Sequence, residues 1–479
     1  MIEQHVNERV IHWQTFGQTL INPVALIATL AMGLLLIALP RRRAVLPFLI
    51  VACFLPVAQR IVVLGLNFIM IRILLLFAGA RIAWRGEHKG VRLGPIDRCF
   101  LAWLGVVSVA YVLQQRNFGA VIYRSGVAFD AVGAYFFMRC LLRSRQDIEQ
   151  LVAQLAVVTI PLALVMTYEH LTGHNLFGVF GGVPATTIVR DGKFRCQGAF
   201  SHPILAGTFG AVGLPLFGGS LLRSRFRSPL HLAACVAALL VVVLSMSSGP
   251  LMAVVFAAFA WTLWPLRFQM TWVRRGIVLA LVALQMVMNK PVYHLIGHVS
   301  DVLGGDGYHR VRVIENTIEH FRQWALIGSG SIAGWGWGLQ DLTNQYAAQA
   351  VDGGLLGLIL FITLIVRCYR WTGRTLRALE RRDDLTRRER TGWQYLLWGV
   401  GASLTAHCAS FISVSYFGQM EIIWFMFLGL VASLWPVFVT SPKRQAARSG
   451  KADARSRALR THEPTAPAGV PSPTIARLR

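Results

Sequence analysis

The chain is built from long apolar runs separated by short polar breaks, most of them basic. Runs such as Val236–Leu244 and Leu355–Val366 sit inside stretches of ~20 residues, the length a helix needs to cross a bilayer. Reading each stretch between its polar breaks predicts about thirteen transmembrane helices. They fall near 21–39, 44–59, 61–80, 99–114, 119–141, 148–170, 201–222, 230–246, 250–266, 276–291, 353–370, 393–413 and 419–439. The second and third are divided only by Gln59-Arg60. The predicted fold is therefore an all-α polytopic membrane protein.

Five regions follow. Residues 1–20 are an external N-terminus, and 21–291 hold helices 1–10 with an external loop at 171–200. A large external loop occupies 292–352, helices 11–13 occupy 353–440, and 441–479 form a basic tail. That tail mixes Arg, Pro, Ala and Ser with few large apolar residues, a composition expected to be disordered. The polar N-terminal stretch lacks a basic leader and does not read as a cleavable signal peptide.

The charges set the orientation. Thirty-five of the 47 lysines and arginines fall in alternate connections, beginning with Arg41-Arg42-Arg43 and ending with nine in 367–390 and nine from Lys443 onward. By the positive-inside rule those connections are cytoplasmic, so the N-terminus is outside and the C-terminus inside.

Composition fits this reading. Of 479 residues 55% are hydrophobic and 14% charged, with a mean hydropathy of +0.53; soluble domains carry about 25% charged residues. The net charge of +25 would point to nucleic acid in a soluble protein. Here it marks topology and contact with an anionic leaflet, and no nucleic-acid partner is expected. Seven cysteines without CxxC spacing give neither a zinc site nor a disulfide framework. No metal or cofactor is expected.

Chemistry is sought in the two long external loops, because long loops in compact proteins are usually functional or disordered. The second contains an amphipathic pattern over 308–324: Val311, Ile314, Ile318, Phe321 and Ala325 recur at spacings of three and four. Arg310 and Arg322 flank that stripe, with Arg312, Glu315 and Glu319 beside it. Such a helix lies on the membrane or packs on the outer ends of the spans. Seven cations, Arg190, Lys193, Arg195, Lys290, Arg310, Arg312 and Arg322, sit on a face the positive-inside rule disfavours. A phosphate-bearing ligand would account for them, since the guanidinium fork donates two parallel hydrogen bonds. Solvated loop charges paired with Asp191, Glu315 and Glu319 are the plainer alternative.

Within the spans, Arg72 and Arg124 must face a polar cavity, snorkel or find a partner such as Asp130. An arginine at mid-bilayer costs about 2.5–3.5 kcal/mol even on the gentler insertion scale. The run Gly328–Gly338 matches no nucleotide loop; it reads as a turn, or as backbone close to a ligand with Trp335 and Trp337 stacking on sugars. Asp341, Asn344, Gln345 and Tyr346 gather at a membrane mouth. A general base and hydroxyl-orienting amides could sit there, as could a simple polar helix start.

Read together, these motifs resemble the O-antigen ligase and O-antigen/exopolysaccharide polymerase superfamily. Arg195-Cys-Gln-Gly-Ala-Phe-Ser-His-Pro203 resembles the family's Arg-x-x-Gly-x-Phe-x-His-Pro entry into a span. Ser245-Met-Ser-Ser-Gly249 resembles its small-residue turn, and Arg310 to Gly330 its arginine-started helix ending in Gly-x-Gly. Thr343-Asn-Gln-Tyr346 with Gly354-Leu-Leu-Gly357 resembles its His-Asn-x-Tyr…Gly-Leu-Leu-Gly segment. The likeness covers about 195–435.

The resemblance implies a GT-C-like arrangement and a metal-independent membrane glycosyltransferase. Its substrate would be an undecaprenyl-diphosphate-linked glycan in the membrane lipid, and a chain-length regulator and a flippase of the same pathway would be its partners. It implies that Arg195 and Arg310 hold the diphosphate, with His202, Arg312, Asn344, Tyr346 and Arg124 as further substrate-binding residues. Catalysis would fall to Arg310 with Asp341 or Glu315. Ligases of the family carry a histidine where this chain has Thr343, and threonine is no base at neutral pH. The base is then Asp341, Glu315 or His309, or the arginines carry most of the catalysis. That departure favours a polymerase over a ligase. A flippase is the alternative of another class, but no paired repeat is visible.

Overall fold

A computed structural model describes residues 19–63, 65–190, 192–302, 307–332, 334–336 and 342–439. The basic tail, Asp341 and Trp337 lie outside them. The described residues hold sixteen helices and two hairpins, and the chain is mostly helical.

In chain order the helices are α1 (Pro23–Ala38), α2 (Val45–Phe54), α3 (Met70–Trp84), α4 (Pro95–Gln115), α5 (Phe118–Leu141) and α6 (Arg145–Thr172). Next come α7 (Pro203–Arg223), α8 (Pro229–Leu244), α9 (Ser248–Thr262) and α10 (Met270–Val287). The remainder are α11 (His294–Val302), α12 (Gly307–Glu319), α13 (Phe321–Trp324), α14 (Gln345–Glu380), α15 (Arg387–Ser410) and α16 (Gln419–Phe438). Six of them, α4, α6, α7, α10, α14 and α16, are long and apolar enough to cross a membrane; α1, α8 and α9 are apolar but shorter. The chain thus has the makings of an all-α membrane protein.

The predicted span 61–80 needs correction. Its first part is an antiparallel hairpin, β1 (Arg60–Val63) with β2 (Leu66–Ile69), and only Met70 onward is helical. The β-branched run Ile61-Val62-Val63 favours strand, and Gly65, at φ 77°, makes the turn. Hydropathy alone does not separate such a strand from a helix start. A second hairpin, β3 (Ile188–Arg190) with β4 (Lys193–Arg195), lies in the connection between α6 and α7.

Helix α7 is the central element. It packs on α8, α9 and α15, while α14 packs on α4 and α16 on α5. Close crossings use glycine, as membrane helices commonly do. A Cβ on Gly399 would lie 2.5 Å from the Pro215 carbonyl, and one on Gly429 would lie 2.5 Å from that of Tyr135. Two ion pairs lie inside the helix bundle. Arg139 and Asp97, both buried, form a two-point ion pair at 2.8 and 3.1 Å. Arg72 binds Asp130 with both arms, the partner expected from the sequence.

Several arginines that read as topology signals also satisfy helix ends. Arg81 is fully buried and donates to the carbonyls of Leu36 and Leu39, and Arg85 to that of Ile37. These are the orphan acceptors of the α1 C-terminus, where a cation is favoured.

The predicted amphipathic helix 308–324 divides at His320 into α12 and α13. Val311 is buried, but Ile318 and Phe321 are exposed, so only the first part of the stripe packs on protein. A second core of Val313, Trp324, Ile332, Trp335 and Ala350 joins this region to the first turns of α14. Helix α14 itself breaks at Gly354, whose φ of 64° and ψ of −168° are not helical. The break lets the Leu355 amide donate to the Ala325 carbonyl.

Candidate functional site

The turn between α8 and α9 gathers the two arginines singled out from the sequence. Met246, with φ at 43°, turns the chain, and the buried Ser245 hydroxyl is tied to the Val242 carbonyl at 2.7 Å. The two serines that follow each meet an arginine. Arg195 donates through Nη2 to Ser247 Oγ at 2.8 Å, and Arg310 through Nη2 to Ser248 Oγ at 2.8 Å. Residues 115 positions apart in the chain thus converge on adjacent hydroxyls. Arg310 is 8% exposed, so its charge sits in a largely enclosed place.

The turn offers more than two cations. Ser247 is the N-cap of α9, yet its side chain makes no capping bond; it donates to the Ser245 carbonyl and accepts from Arg195. The Ser248 and Gly249 amides that open this fifteen-residue helix, ahead of Pro250, therefore lack a side-chain cap from Ser247 beside two guanidinium groups. Helix N-termini favour anions through these amides and the dipole. Two arginine forks and a helix N-terminus together form a site suited to a phosphate or diphosphate.

Buried polar side chains fix the Arg195 segment. The Glu169 carboxylate, 1% exposed, accepts the Gln197 amide at 3.1 Å and the Gly198 amide at 2.9 Å. Asn175 Nδ2 donates to the Gly198 carbonyl, and Gln419 Nε2 to that of Ala199. The Cys196 amide donates to the Leu244 carbonyl, which locks the end of β4 against the end of α8. None of these anchors was singled out from the sequence, and neither were Ser247 and Ser248 as individual side chains. The only signal was the two hydroxyls in the small-residue turn.

Other predicted residues are placed differently. Asn344 caps α14, accepting the Tyr346 and Ala347 amides, and donates to the Ile412 carbonyl. Tyr346 donates its hydroxyl to the Cys408 carbonyl at 3.2 Å. Both side chains are thus engaged in joining α14 to the end of α15. That join reaches the serine turn, because Gly249 packs on Ser413, where an added Cβ would lie 2.8 Å from the Ser413 Cβ. His202 accepts the Ile204 amide as N-cap of α7. Glu315 lies 3.1 Å from His294 Nε2, and Arg312 lies over the Tyr308 ring at 5.6 Å.

Arg124 belongs to a separate cluster with Tyr111 at 4.8 Å and Asp352 at 3.6 Å, a partner not foreseen from the sequence. The Gly328-Ser-Gly330 segment approaches backbone: Ser329 and Gly330 donate to the Val351 carbonyl. Trp335 stacks on His320 at 5.0 Å and donates to Gln323. Its face and indole N–H are both occupied within the second core.

No family model and no curated protein matches this chain.

Proposed function

We propose that this protein is a polymerase that joins undecaprenyl-diphosphate-linked oligosaccharide repeat units into exopolysaccharide or O-antigen. In this reading it lies in a bacterial cytoplasmic membrane, with about thirteen crossings, the N-terminus outside and the C-terminus inside. The convergence of Arg195 and Arg310 on the Ser247-Ser248 turn is the observation that carries the proposal. In this reading the two arginines form a diphosphate cradle at the end of the bundle that the basic connections avoid.

The chemistry is an inverting displacement. An acceptor hydroxyl oxygen forms a bond to the anomeric carbon while the bond from that carbon to the diphosphate oxygen breaks. The leaving diphosphate takes the electron pair, and the hydroxyl proton passes to a base or to solvent. Negative charge grows on the leaving group, so Arg195, Arg310 and the α9 N-terminus stabilise the transition state more than the ground state. With Thr343 in place of a histidine, the arginines carry most of the effect.

The test is glycan size in a strain lacking this protein, complemented with wild type or with Arg310→Ala. The variant is expected to lower polymer formation by about a hundredfold or more and to leave single lipid-linked repeat units. Long chains that stay on the lipid carrier without reaching an acceptor would make the protein a ligase. Repeat units trapped on the cytoplasmic face would overturn the enzyme reading in favour of a flippase.

A further inference from the structure

The opposite end of the helix bundle holds a cavity of about 780 Å³, lined by the start of α6, the ends of α7 and α16, and the connection into α15. Five arginines border it: Arg143, Arg145, Arg223, Arg382 and Arg388. Three carboxylates, Glu149, Asp384 and Glu389, border it too.

Each carboxylate is already committed. Glu149 pairs with Arg223, whose guanidinium also lies 3.6 Å from the centre of the Trp393 ring. Asp384 takes both arms of Arg382 at 2.7 and 2.6 Å, which holds its carboxyl below the usual range. Glu389 accepts the Thr386 amide and hydroxyl in the capping box of α15, and these hold its carboxyl low as well. Arg143 is spent on the carbonyls of Cys140, Glu87 and Lys89.

Two cations remain. Arg145 is half-buried, its only ring contact being with Phe438 at 5.8 Å. Arg388 is exposed at the cavity wall. Neither has a hydrogen bond or ion pair to another described residue. With five arginines against three carboxylates, the lining keeps a net excess of two positive charges, with Asp384 and Glu389 acting on Arg145 from a distance. Topology alone does not require this, since a positive-inside signal works equally well on a solvated surface.

We propose that this cavity binds a phosphate-bearing anion between Arg145 and Arg388, separately from the serine-turn site. The forks of Arg145 and Arg388 match phosphate oxygens, and Trp393, Leu385, Pro436 and Val437 give an apolar wall. A phospholipid headgroup reaching in from the adjoining leaflet and a soluble phosphorylated anion share this chemistry.

The experiment uses the full-length purified protein in nanodiscs. One arm compares phosphatidylcholine discs with discs that also contain phosphatidic acid, reading lipid retention by native mass spectrometry. The other titrates inorganic pyrophosphate into phosphatidylcholine discs, reading the shift in melting temperature. Saturable binding is expected in one arm, which identifies the source. It should weaken about tenfold in Arg145→Ala and in Arg388→Ala, each removing one charge-assisted contact, and stay unchanged in Arg374→Ala, an exposed arginine outside the cavity. Arg388→Glu, at an exposed position that folding does not depend on, should abolish it. No saturable binding in either arm would overturn the proposal. So would equal loss in Arg374→Ala, which reports surface charge and not a site.

Discussion

Replacing Gly207 with alanine tests whether the serine turn is a rigid platform for the two arginines. A Cβ at Gly207 would lie 2.3 Å from Ser245 Oγ and 2.8 Å from Pro250 Cγ. Neither neighbour can move aside freely. The Ser245 hydroxyl is held at 2.7 Å by the Val242 carbonyl, and Pro250 sits in the first turn of α9. The added methyl must therefore push α7 away from the turn that carries Ser247 and Ser248. Overpacking of this kind costs about 1–3 kcal/mol, set against up to about 1 kcal/mol gained by replacing glycine within a helix. Gly218 lies on the same helix with nothing within 4 Å of its added Cβ, so Gly218→Ala carries the helix term without the clash. The difference between the two variants isolates the steric cost, expected at about 2 kcal/mol. Thermal unfolding of the purified protein in one detergent reads this difference, and glycan size in complemented cells reads its effect on the proposed polymerase activity. Gly207→Ala should melt lower than Gly218→Ala and, under the proposed function, make shorter chains. Equal melting of the two would refute the claim that the turn is fixed. A lower melting temperature with normal polymer would refute the claim that the arginines depend on it.

Other consequences concern buried polar contacts and strained backbone elsewhere in the fold. Arg139→Met alone should destabilise the protein by about 3–5 kcal/mol by leaving Asp97 charged and buried. The double variant Arg139→Met/Asp97→Leu should recover much of that loss, as read by the same melting assay. Gly354→Ala should be destabilising by at least about 1–2 kcal/mol, because φ is positive and the new Cβ would lie 2.6 Å from the Leu326 carbonyl. Hydrogen exchange should then quicken at Leu355, whose amide bonds the Ala325 carbonyl. Glu169→Gln leaves the shape intact but gives up a charged acceptor of two amides, a loss of about 1.5–3 kcal/mol. Protease cleavage within 188–200 should rise in this variant, while the core helices stay protected.

The sequence by itself determined the membrane class, most helix positions and the segments that carry candidate chemistry. Apolar runs in a bilayer have few alternatives to helix, because every backbone polar group must be satisfied within the segment. Arg195 and Arg310 stood out because the charge pattern assigned them to a face where cations are expected to be few. Asp130 was offered from the sequence as a partner for Arg72 or Arg124, beside a polar cavity or snorkelling, and the structure pairs it with Arg72, two helices earlier. What the sequence left open depends on distance between segments remote in the chain. Local pattern does not reveal that Arg124 meets Asp352, that Glu169 holds the Gln197 and Gly198 amides, or that Trp335 is used up on His320 and Gln323. It left the Gly328-Ser-Gly330 backbone open as a turn or a ligand contact, and the structure shows Ser329 and Gly330 bonded to the Val351 carbonyl. It read 61–80 as one span because Ile61-Val62-Val63 is as apolar as a helix. Only the tertiary structure decided that Arg195 and Arg310 share one turn, because that depends on how α7, α8, α9 and α12 pack, and packing is set by shape and small residues far apart in the chain.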